Sequence, residues 1–593
     1  MLDQKYQERY EKFAQQARLL EAQYTRFSFV RLAYFAAGIA LLIYCSTLIH
    51  WYTIGLAGLF LWSFARLVRW HLNLQAQKNH NKALATINQN ERAFLNHDYS
   101  MFYPGKEFID PAHPYSVDLD LFGEHSFFQY TNRCSTTIGH HRLADYLKTL
   151  STATDIQDRQ AAIQELAPLL DWRQHFQAHG MHTQDSMEHL KNLNIWLSDP
   201  PFMLSNRVLK ACLYIFPFIV ALGIYLWIFY LPWPAAILFF LPSLYVLRQT
   251  LDKVNKAHVQ TTYAEKILSN YARLMSHIES NRFQSPQLQQ LHQTFIDDQG
   301  HASLRLKRLS YLIAQLNLRY NAFAFLLNVF ALWDLHWIWR LEQWKAEQKD
   351  NLPKWFNALA EMEALVSLAT LYYNAPDWTF PQITDSQSPF NAQALGHPLI
   401  PVTQRVCNDI QIPTGGHIKL VTGSNMAGKS TFLRTVGLNI VLAMAGAPVC
   451  AQRCALPLLQ VYTSMRTQDA LHESTSSFYA ELKRLKTIIE AVEQQSNAFF
   501  LLDEILKGTN SNDRHTGSKA LIHQLIKSQG SGIIATHDLE LGALEASSNG
   551  SVENLCMEVA VENNELIFDY TIKKGVSKSF NATHLMRNMG INI

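Results

Sequence analysis

The eight residues from Gly423 to Ser430 have the types and spacing of a phosphate-binding loop: glycine, four residues, glycine, lysine and serine. The glycines let backbone N–H groups curl around phosphate oxygens. In this pattern Lys429 reaches the β- and γ-phosphates, and the hydroxyl of Ser430 ligates Mg²⁺. The alternative is a glycine-rich turn that binds nothing, and residues further along the chain help to decide between the two.

Asp503 and Glu504 form a second group, directly after the apolar residues Phe499–Leu502. Such a run is typical of a buried strand that presents carboxylates at its C-terminal end. Asp503 is predicted to hold Mg²⁺, directly or through water, and Glu504 to polarise the attacking water as general base. The alternative is a solvated acidic pair at the end of a strand.

His537 follows a further strand-like run, Ile533–Thr536, and is predicted to contact the γ-phosphate and sense its hydrolysis. The order of phosphate loop, Asp-Glu and Thr-His is that of the ABC-type ATPases, so we predict an ATPase with ATP and Mg²⁺ as cofactors. The Leu-Ser-Gly-Gly-Gln motif of transporter ATPases is absent from the sequence. The predicted catalytic residues are Lys429, Glu504 and His537, and the predicted metal ligands are Ser430 and Asp503.

These side chains need strands and helices to position them. The strand-like run His417–Val421 precedes the loop, and the helix-like run Phe432–Ala445 follows it, so the dipole of that helix adds to the anion site. Apolar runs alternate with helices only after about Leu395, whereas the chain before that point is mostly helical in pattern. The predicted fold class is therefore multidomain α plus α/β, with a C-terminal ABC-type P-loop ATPase domain.

Two further segments, Ser474–Leu482 and Gly508–Arg514, extend the pattern around the acidic pair. With them the chain resembles the MutS family of DNA mismatch-repair ATPases. The loop is similar to that family's TGPNMGGKST, with Ser424 in place of proline and Ala427 in place of glycine. The resemblance covers roughly residues 115–200 and 300–593, and its ATPase motifs are the specific part.

The resemblance implies a composite site shared by two chains. In that family a serine of one subunit caps the γ-phosphate bound by the other; Ser476 matches that serine, and Asp513 lies in a loop of the same interface. We therefore expect a homodimer through the ATPase domains, acting on branched, mismatched or duplex DNA. The predicted nucleotide contacts are Gly423, Ser424, Asn425, Met426, Ala427, Gly428, Lys429, Ser430, Thr431, Ser476 and Asp513.

The sequence departs from the family pattern in the parts that recognise DNA mismatches and bind adenine. The N-terminal mismatch-recognition domain is replaced by an apolar hairpin, so we expect a divergent member without it. The string Phe122-Gly-Glu124 matches the family's mismatch-probing Phe-x-Glu, but it lies at the start of the core segment. Arg405 stands where an aromatic residue before Asn408 is expected to stack on adenine.

Bulk composition sets limits on the class of protein. Lysine and arginine number 51 against 49 acidic residues, so there is no global basic field, and any nucleic-acid surface must be local. The seven cysteines are scattered without zinc-ligand spacing, which favours a reducing compartment and no structural metal.

Two long apolar stretches predict membrane hairpins. Residues 32–65 and 211–247 contain no Asp, Glu, Lys or Arg, and each is long enough for two spans with a turn. Basic residues flank both ends of both stretches, which predicts a multi-pass protein of the cytoplasmic membrane with its ATPase domain in the cytoplasm. The alternative is a pair of buried core helices. A third apolar run, Ala322–Trp333, is predicted to be core because it is too short to span.

These predictions combine into a membrane-anchored MutS-like ATPase that acts as a nucleotide-gated dimeric clamp. The alternatives are an ATP-gated membrane scaffold with protein partners only, and an ABC transporter subunit. The predicted domains are an amphipathic helix (1–28), hairpin 1 (29–69), a helical stalk (70–114), a first core part (115–204), hairpin 2 (205–248), lever and core helices (249–385) and the ATPase domain (386–593).

Overall fold

The computed structural model describes residues 1–48, 50–181, 185–298, 300–466, 477–562 and 565–577. Its internal contacts divide the chain into two compact units. The first unit comprises Met1–Met101, Leu170–Asn281 and Phe295–Pro353, and the second comprises Phe102–Leu169, Arg282–Thr294 and Lys354–Ile593. The segment predicted as lever and core helices, 249–385, is therefore divided between the two units.

Helices dominate the part of the chain before residue 380. In chain order the α-helices are α1 (Leu2–Leu48), α2 (His50–Leu95), α3 (Phe127–Thr131), α4 (Thr137–Lys148), α5 (Ala153–Leu166), α6 (Leu170–Gly180), α7 (Met187–Ser198), α8 (Arg207–Phe229), α9 (Trp233–Ala236), α10 (Leu241–Thr261), α11 (Ala264–Glu279), α12 (Pro286–Phe295), α13 (Ala302–Asn317), α14 (Ala322–Ala331), α15 (Trp333–Gln348), α16 (Leu352–Asn374), α17 (Lys429–Met444), α18 (Ser477–Gln494), α19 (Ser511–Lys527) and α20 (Leu544–Ser547).

Strands are concentrated in the C-terminal part. In chain order they are β1 (Ile296–Asp297), β2 (Gly300–His301), β3 (Gln382–Ile383), β4 (Phe390–Leu395), β5 (Asn408–Ile412), β6 (Ile418–Thr422), β7 (Arg453–Leu456), β8 (Gln460–Ser464), β9 (Ala498–Asp503), β10 (Ser531–Thr536), β11 (Val552–Glu562) and β12 (Glu565–Lys574).

In the first unit, α1 and α2 form a long antiparallel pair. Asp3 contacts Arg92 at 3.0 Å between Oδ1 and Nε, and the rings of Tyr24 and His71 stack with centroids 4.2 Å apart. The predicted amphipathic helix over 1–28 and the first apolar arm are one continuous helix, because this stretch contains no proline and only one glycine, Gly38. The large apolar side chains of the uncharged stretch 32–65 are mostly exposed.

The second apolar stretch is less regular. α8 contains Pro217, and after it the chain forms the short helix α9 and a 3₁₀ turn, Ile237–Phe240, before α10 begins. Among the described residues, two helices are long and apolar enough to cross a membrane, judged by length and composition: α1 (within Leu2–Ser46) and α8. Within the described residues, the predicted return arms do not reach that standard.

The prediction that Ala322–Trp333 is core was wrong. Its helix, α14, packs one side against its neighbours, with the rings of Phe330 and Phe240 at 5.4 Å, but Phe325 is 65% exposed and Leu326 and Leu327 are also exposed. Composition shows that a helix is apolar, but it does not show whether enough neighbouring elements surround it to bury every face.

The second unit is built around a six-stranded sheet with the order β12-β11-β6-β10-β9-β8. All its pairs are parallel except β11 with β12. Strands β6, β9 and β10 are buried at every position, as expected of mostly apolar strands that are covered on both faces. Because these strands are parallel, their C-terminal ends, and the residues that follow them, lie along one edge of the sheet.

The same unit contains a smaller sheet with the order β3-β7-β4-β5 and, among its helices, α4 and α16. The carboxylate of Glu363 on α16 is buried and accepts hydrogen bonds from the backbone N–H of Ser135 (2.9 Å) and the hydroxyl of Thr136, which is the N-cap of α4. A buried carboxylate therefore fixes the start of α4 to the centre of α16.

Candidate nucleotide-binding site

The loop after β6 has the backbone geometry of an anion cradle. Gly423 and Gly428 have φ values of 149° and 96°, and α17 begins immediately afterwards at Lys429. A Cβ at Gly423 would lie 2.5 Å from the carbonyl oxygen of Met557, and one at Gly428 would lie 2.9 Å from the Tyr570 ring. Both glycines are thus required by conformation and by space. The N–H groups of the first turn of α17 remain available to an anion.

The remaining loop residues differ in exposure. Ala427, which replaces a glycine of the family pattern, is buried and fits without a positive φ, whereas Met426 and Thr431 are exposed and Ser424 is half-buried. The side chain of Asn425 lies outside the described residues.

Lys429 is held inside the loop. Its Nζ donates to the carbonyl oxygens of Gly423 (2.7 Å) and Ser424 (2.9 Å), and it lies 3.4 Å from Nε2 of His537. Burial lowers the pKa of Lys429 to about 8, against the opposing attraction of the Asp503 and Glu504 carboxylates. The ammonium is pre-positioned, and a phosphate oxygen would compensate the desolvation that lowers its pKa.

Asp503 and Ser430 are adjacent, as expected of residues that share a metal. The hydroxyl of Ser430 donates to Oδ2 of Asp503 at 2.5 Å. The other carboxylate oxygen, Oδ1, is buried and has no hydrogen-bond partner in the described structure. Mg²⁺ prefers hydroxyl and carboxylate oxygens, and a buried carboxylate oxygen without a partner is the kind of group that a cation would satisfy. The residues present therefore fit a magnesium ion.

Glu504 is paired on both of its oxygens. Oε1 lies 2.6 Å from Nε2 of His537, and Oε2 lies 3.1 Å from Nζ of Lys507. The hydrogen bond with His537, followed by that with Lys507, lowers the pKa of Glu504 to about 2 despite partial burial. Its backbone has φ of 52° and donates N–H to Ala535 of β10 at 2.9 Å, so the residue is fixed to the neighbouring strand.

Two residues at this site were not predicted from the sequence. Lys507 follows Glu504 by three positions, and Glu481 on α18 is buried, accepts the N–H of Leu506 and has its pKa raised by burial. Glu481 lies inside the segment Ser474–Leu482, which extends the family pattern, so the sequence did contain a signal for a functional residue there. A cavity of about 180 Å³ opens beside Asp503, Glu504 and these two residues.

An aromatic residue does lie beside the loop, although not where the sequence comparison placed it. Arg405 donates to the carbonyl oxygen of Ile400 at 2.7 Å, so its guanidinium is engaged within its own turn. Tyr570 on β12 is exposed and its ring borders Gly428. Asn408 holds this strand, since it donates to the Tyr570 carbonyl (3.1 Å) and accepts the N–H of Ile572 (2.8 Å). The sequence alone does not show that a residue of β5 contacts β12, because the two strands are far apart in the chain.

Of the two residues expected to face a second chain, the structure describes only Asp513. Ser476 lies outside the described residues. Asp513 is exposed in the first turn of α19, where its carboxylate accepts from Nδ2 of Asn510 (2.7 Å), the N-cap of the same helix.

The Phe122-Gly-Glu124 string is not an exposed probe. Phe122 is 9% exposed and packs against the rings of Phe108 (5.7 Å) and Phe128 (5.5 Å), while Glu124 pairs with Lys106 at 2.6 Å. A side chain in an aromatic core cannot enter a DNA stack without unpacking its own domain.

A parallel sheet with a glycine loop at its edge, a buried lysine and a strand-end Asp-Glu pair defines the class of P-loop α/β domains. More particularly, residues 419–590 match the family model of MutS domain V. It is 31% identical over 248 residues to the DNA mismatch repair protein MutS of Thermotoga sp. (strain RQ2), covering 41% of this chain and 30% of that protein. It is 32% identical over 244 residues to the MutS of Cereibacter sphaeroides (strain ATCC 17025 / ATH 2.4.3), covering 40% and 27% respectively. The matched part thus spans less than a third of these relatives.

Proposed function

We propose that the second unit binds ATP with Mg²⁺ and hydrolyses it. The observation that carries this proposal is the buried, unpartnered Oδ1 of Asp503 beside the Ser430 hydroxyl, at the edge where the loop holds Lys429. When bound, Mg²⁺ would neutralise phosphate charge as the terminal phosphoryl group leaves. Lys429 would exchange its two carbonyl contacts for phosphate oxygens, and the N–H groups at the start of α17 would bind the remaining negative charge.

The pairing of Glu504 suggests how water activation depends on nucleotide. A carboxylate with a pKa of about 2 and both oxygens engaged is a poor proton acceptor. A γ-phosphate attracts the same two groups, His537 and Lys507. Once they turn toward it, an oxygen of Glu504 is released, its pKa rises, and it can take a proton from the attacking water.

The metal part of the proposal is tested by nucleotide binding with and without magnesium. Asp503→Asn should remove most of the Mg²⁺-dependent gain in ATP affinity, at least about tenfold, and leave binding in EDTA nearly unchanged. Glu490→Gln, an exposed carboxylate on α18, is the matched control. Equal magnesium dependence in Asp503→Asn and the wild type would rule out Asp503 as a metal ligand.

We also propose that the catalytic site is completed by a second copy, with Ser476 and Asp513, at the start of α19, facing the partner's nucleotide. This rests on the family likeness. Mixing Lys429→Ala and Ser476→Ala chains tests it, because each homodimer is inactive but a mixed dimer has one intact site. Random exchange at equal amounts gives half mixed dimers with one good site in two, so about a quarter of wild-type activity should return. No recovery after verified subunit exchange would contradict the composite site.

Two hairpins are proposed to anchor the protein in the cytoplasmic membrane as a multi-pass protein, with the ATPase domain in the cytoplasm. The support is the exposed apolar surface of α1, α2 and α8, which water would solvate poorly. The protein should stay in membranes after alkaline carbonate extraction. Cysteines placed at Thr53 and Leu231 should react with impermeant thiol reagents only from the outside. Complete extraction would favour the alternative, helices buried in an assembly.

We propose that the protein binds DNA and that ATP binding and hydrolysis control this binding, since the relatives are DNA mismatch repair proteins. ATP turnover should be measured with duplex, branched and mismatched DNA at several salt concentrations. Stimulation that falls steeply with salt supports a DNA clamp. Turnover unchanged by any DNA, with no salt-sensitive binding, would favour a scaffold with protein partners.

A further inference from the structure

A cavity of about 360 Å³ lies in the first unit, at the base of the second apolar hairpin. One wall is the loop 199–205, which leads directly into α8, and the other walls are α10 and α15. Its floor is apolar, with Trp196, Ile338 and Leu341 buried beneath it. This volume is that of a small-molecule site.

Two buried charged residues, Glu342 and Lys345, bind the backbone of the segment that forms one wall of the cavity. The carboxylate of Glu342 accepts the backbone N–H groups of Phe202, Met203 and Leu204 at 2.8–2.9 Å. The ammonium of Lys345 donates to the carbonyl oxygens of Trp196 (2.9 Å) and Asp199 (2.8 Å). The loop is therefore held in place through its backbone, and the negative charge of Glu342 is already satisfied.

The remaining charge at the cavity is positive. Lys253, Lys256 and Lys345 line it against a single further carboxylate, Asp199, which pairs with Lys256 at 2.7 Å. The ammonium of Lys253 lies 5.5 Å over the Phe202 ring. Burial also lowers the pKa of Lys345, a cost that a nearby anion would offset. The cavity thus combines an apolar floor with ammonium groups at its edge.

The position of the cavity favours an anionic ligand that also has an apolar part. The loop enters α8 at Arg207, and the exposed apolar side chains of α8 begin at Val208, with Tyr214 and Ile215 further along. A ligand with its anionic group in the cavity would have an apolar surface beside it for a hydrocarbon chain. A DNA backbone presents no apolar part, and a half-open cleft of this size does not fit a duplex.

We propose that this cavity binds the phosphate headgroup of an anionic phospholipid, with the acyl chains directed along α8. The proposal rests on the membrane anchoring proposed above. It assigns Lys253 and Lys256 to the headgroup phosphate and the apolar floor to the glycerol backbone.

The test is native mass spectrometry of the full chain in neutral detergent, with added dioleoyl phosphatidylglycerol or dioleoyl phosphatidylcholine. The wild type should retain the anionic lipid at least fivefold more than the zwitterionic one. The double variant Lys253→Ala, Lys256→Ala should lose this preference. Lys307→Ala, Arg308→Ala on α13, which removes the same charge from an exposed surface, should keep it.

A second variant tests the cavity without altering charge. Ala257→Phe places a ring in the cavity and should abolish retention of the anionic lipid. Equal retention of both lipids, or equal losses in the two double variants, would overturn the proposal. So would displacement of the lipid by millimolar inorganic phosphate or by short duplex DNA. Alkaline extraction of the same variants separates this failure from failure of membrane anchoring, since the lysine variants should remain in the membrane.

Discussion

Lys429 should make nucleotide binding depend on pH in a range where few other groups titrate. Its pKa of about 8 is set by burial inside the loop, and only the protonated form can bind phosphate. At that pKa the protonated fraction is about 0.9 at pH 7, one half at pH 8 and one tenth at pH 9. The dissociation constant of ATP should therefore double by pH 8 and rise about tenfold by pH 9, relative to its value in mild acid.

Bound phosphates keep the ammonium protonated, so binding at pH 8 should also take up about half a proton. Isothermal titration calorimetry in buffers of different ionisation enthalpy measures both quantities. Lys429→Arg is the control, because a guanidinium stays charged throughout, and its affinity should be weaker but flat with pH. A wild-type affinity that is constant from pH 7.5 to 9.5, or an equal rise in Lys429→Arg, would refute this reasoning.

Three further predictions concern single positions. Gly428→Ala should reduce ATP affinity at least tenfold in equilibrium binding, because φ is 96° and the new Cβ would meet the Tyr570 ring; unchanged affinity would mean that the loop adapts. Lys507→Ala should raise the pKa of Glu504, so the acid limb of the kcat/KM profile should move to higher pH, and an unmoved limb would exclude the pairing. Glu363→Ala should destabilise the start of α4 by about 3 kcal/mol, because it removes the acceptor of the buried Thr136 hydroxyl and of the part-buried Ser135 N–H, and hydrogen exchange at Gly139 should accelerate; unchanged exchange would contradict this.

Much of the site could be predicted because its motifs consist of residues that are adjacent in the sequence. A glycine loop between a strand and a helix, and carboxylates at the end of an apolar run, are features of adjacent residues. Parallel pairing then places Asp503 and Val421 at the same level, both opposite Ala535. The roles of these residues stay predictions, but their proximity follows from strand ends meeting at one sheet edge.

Other features depend on contacts between distant segments. Tyr570 reaches Gly428 because β12 is held by Asn408, which is 162 residues away in sequence. The exposure of Phe325 depends on how many helices surround α14, which its apolar composition does not reveal. The composition of α1 changes near residue 28, which predicts a boundary there, but nothing in its sequence breaks the backbone hydrogen bonding, so the helix continues.

ATP turnover by Glu504→Gln tests the central claim most directly. The amide keeps the size of the side chain but cannot accept a proton from water. We predict ATP affinity within about threefold of the wild type and turnover lowered by at least about a hundredfold, the contribution usual for a general base. Turnover equal to that of the wild type would show that Glu504 is not the base and would contradict the proposed mechanism.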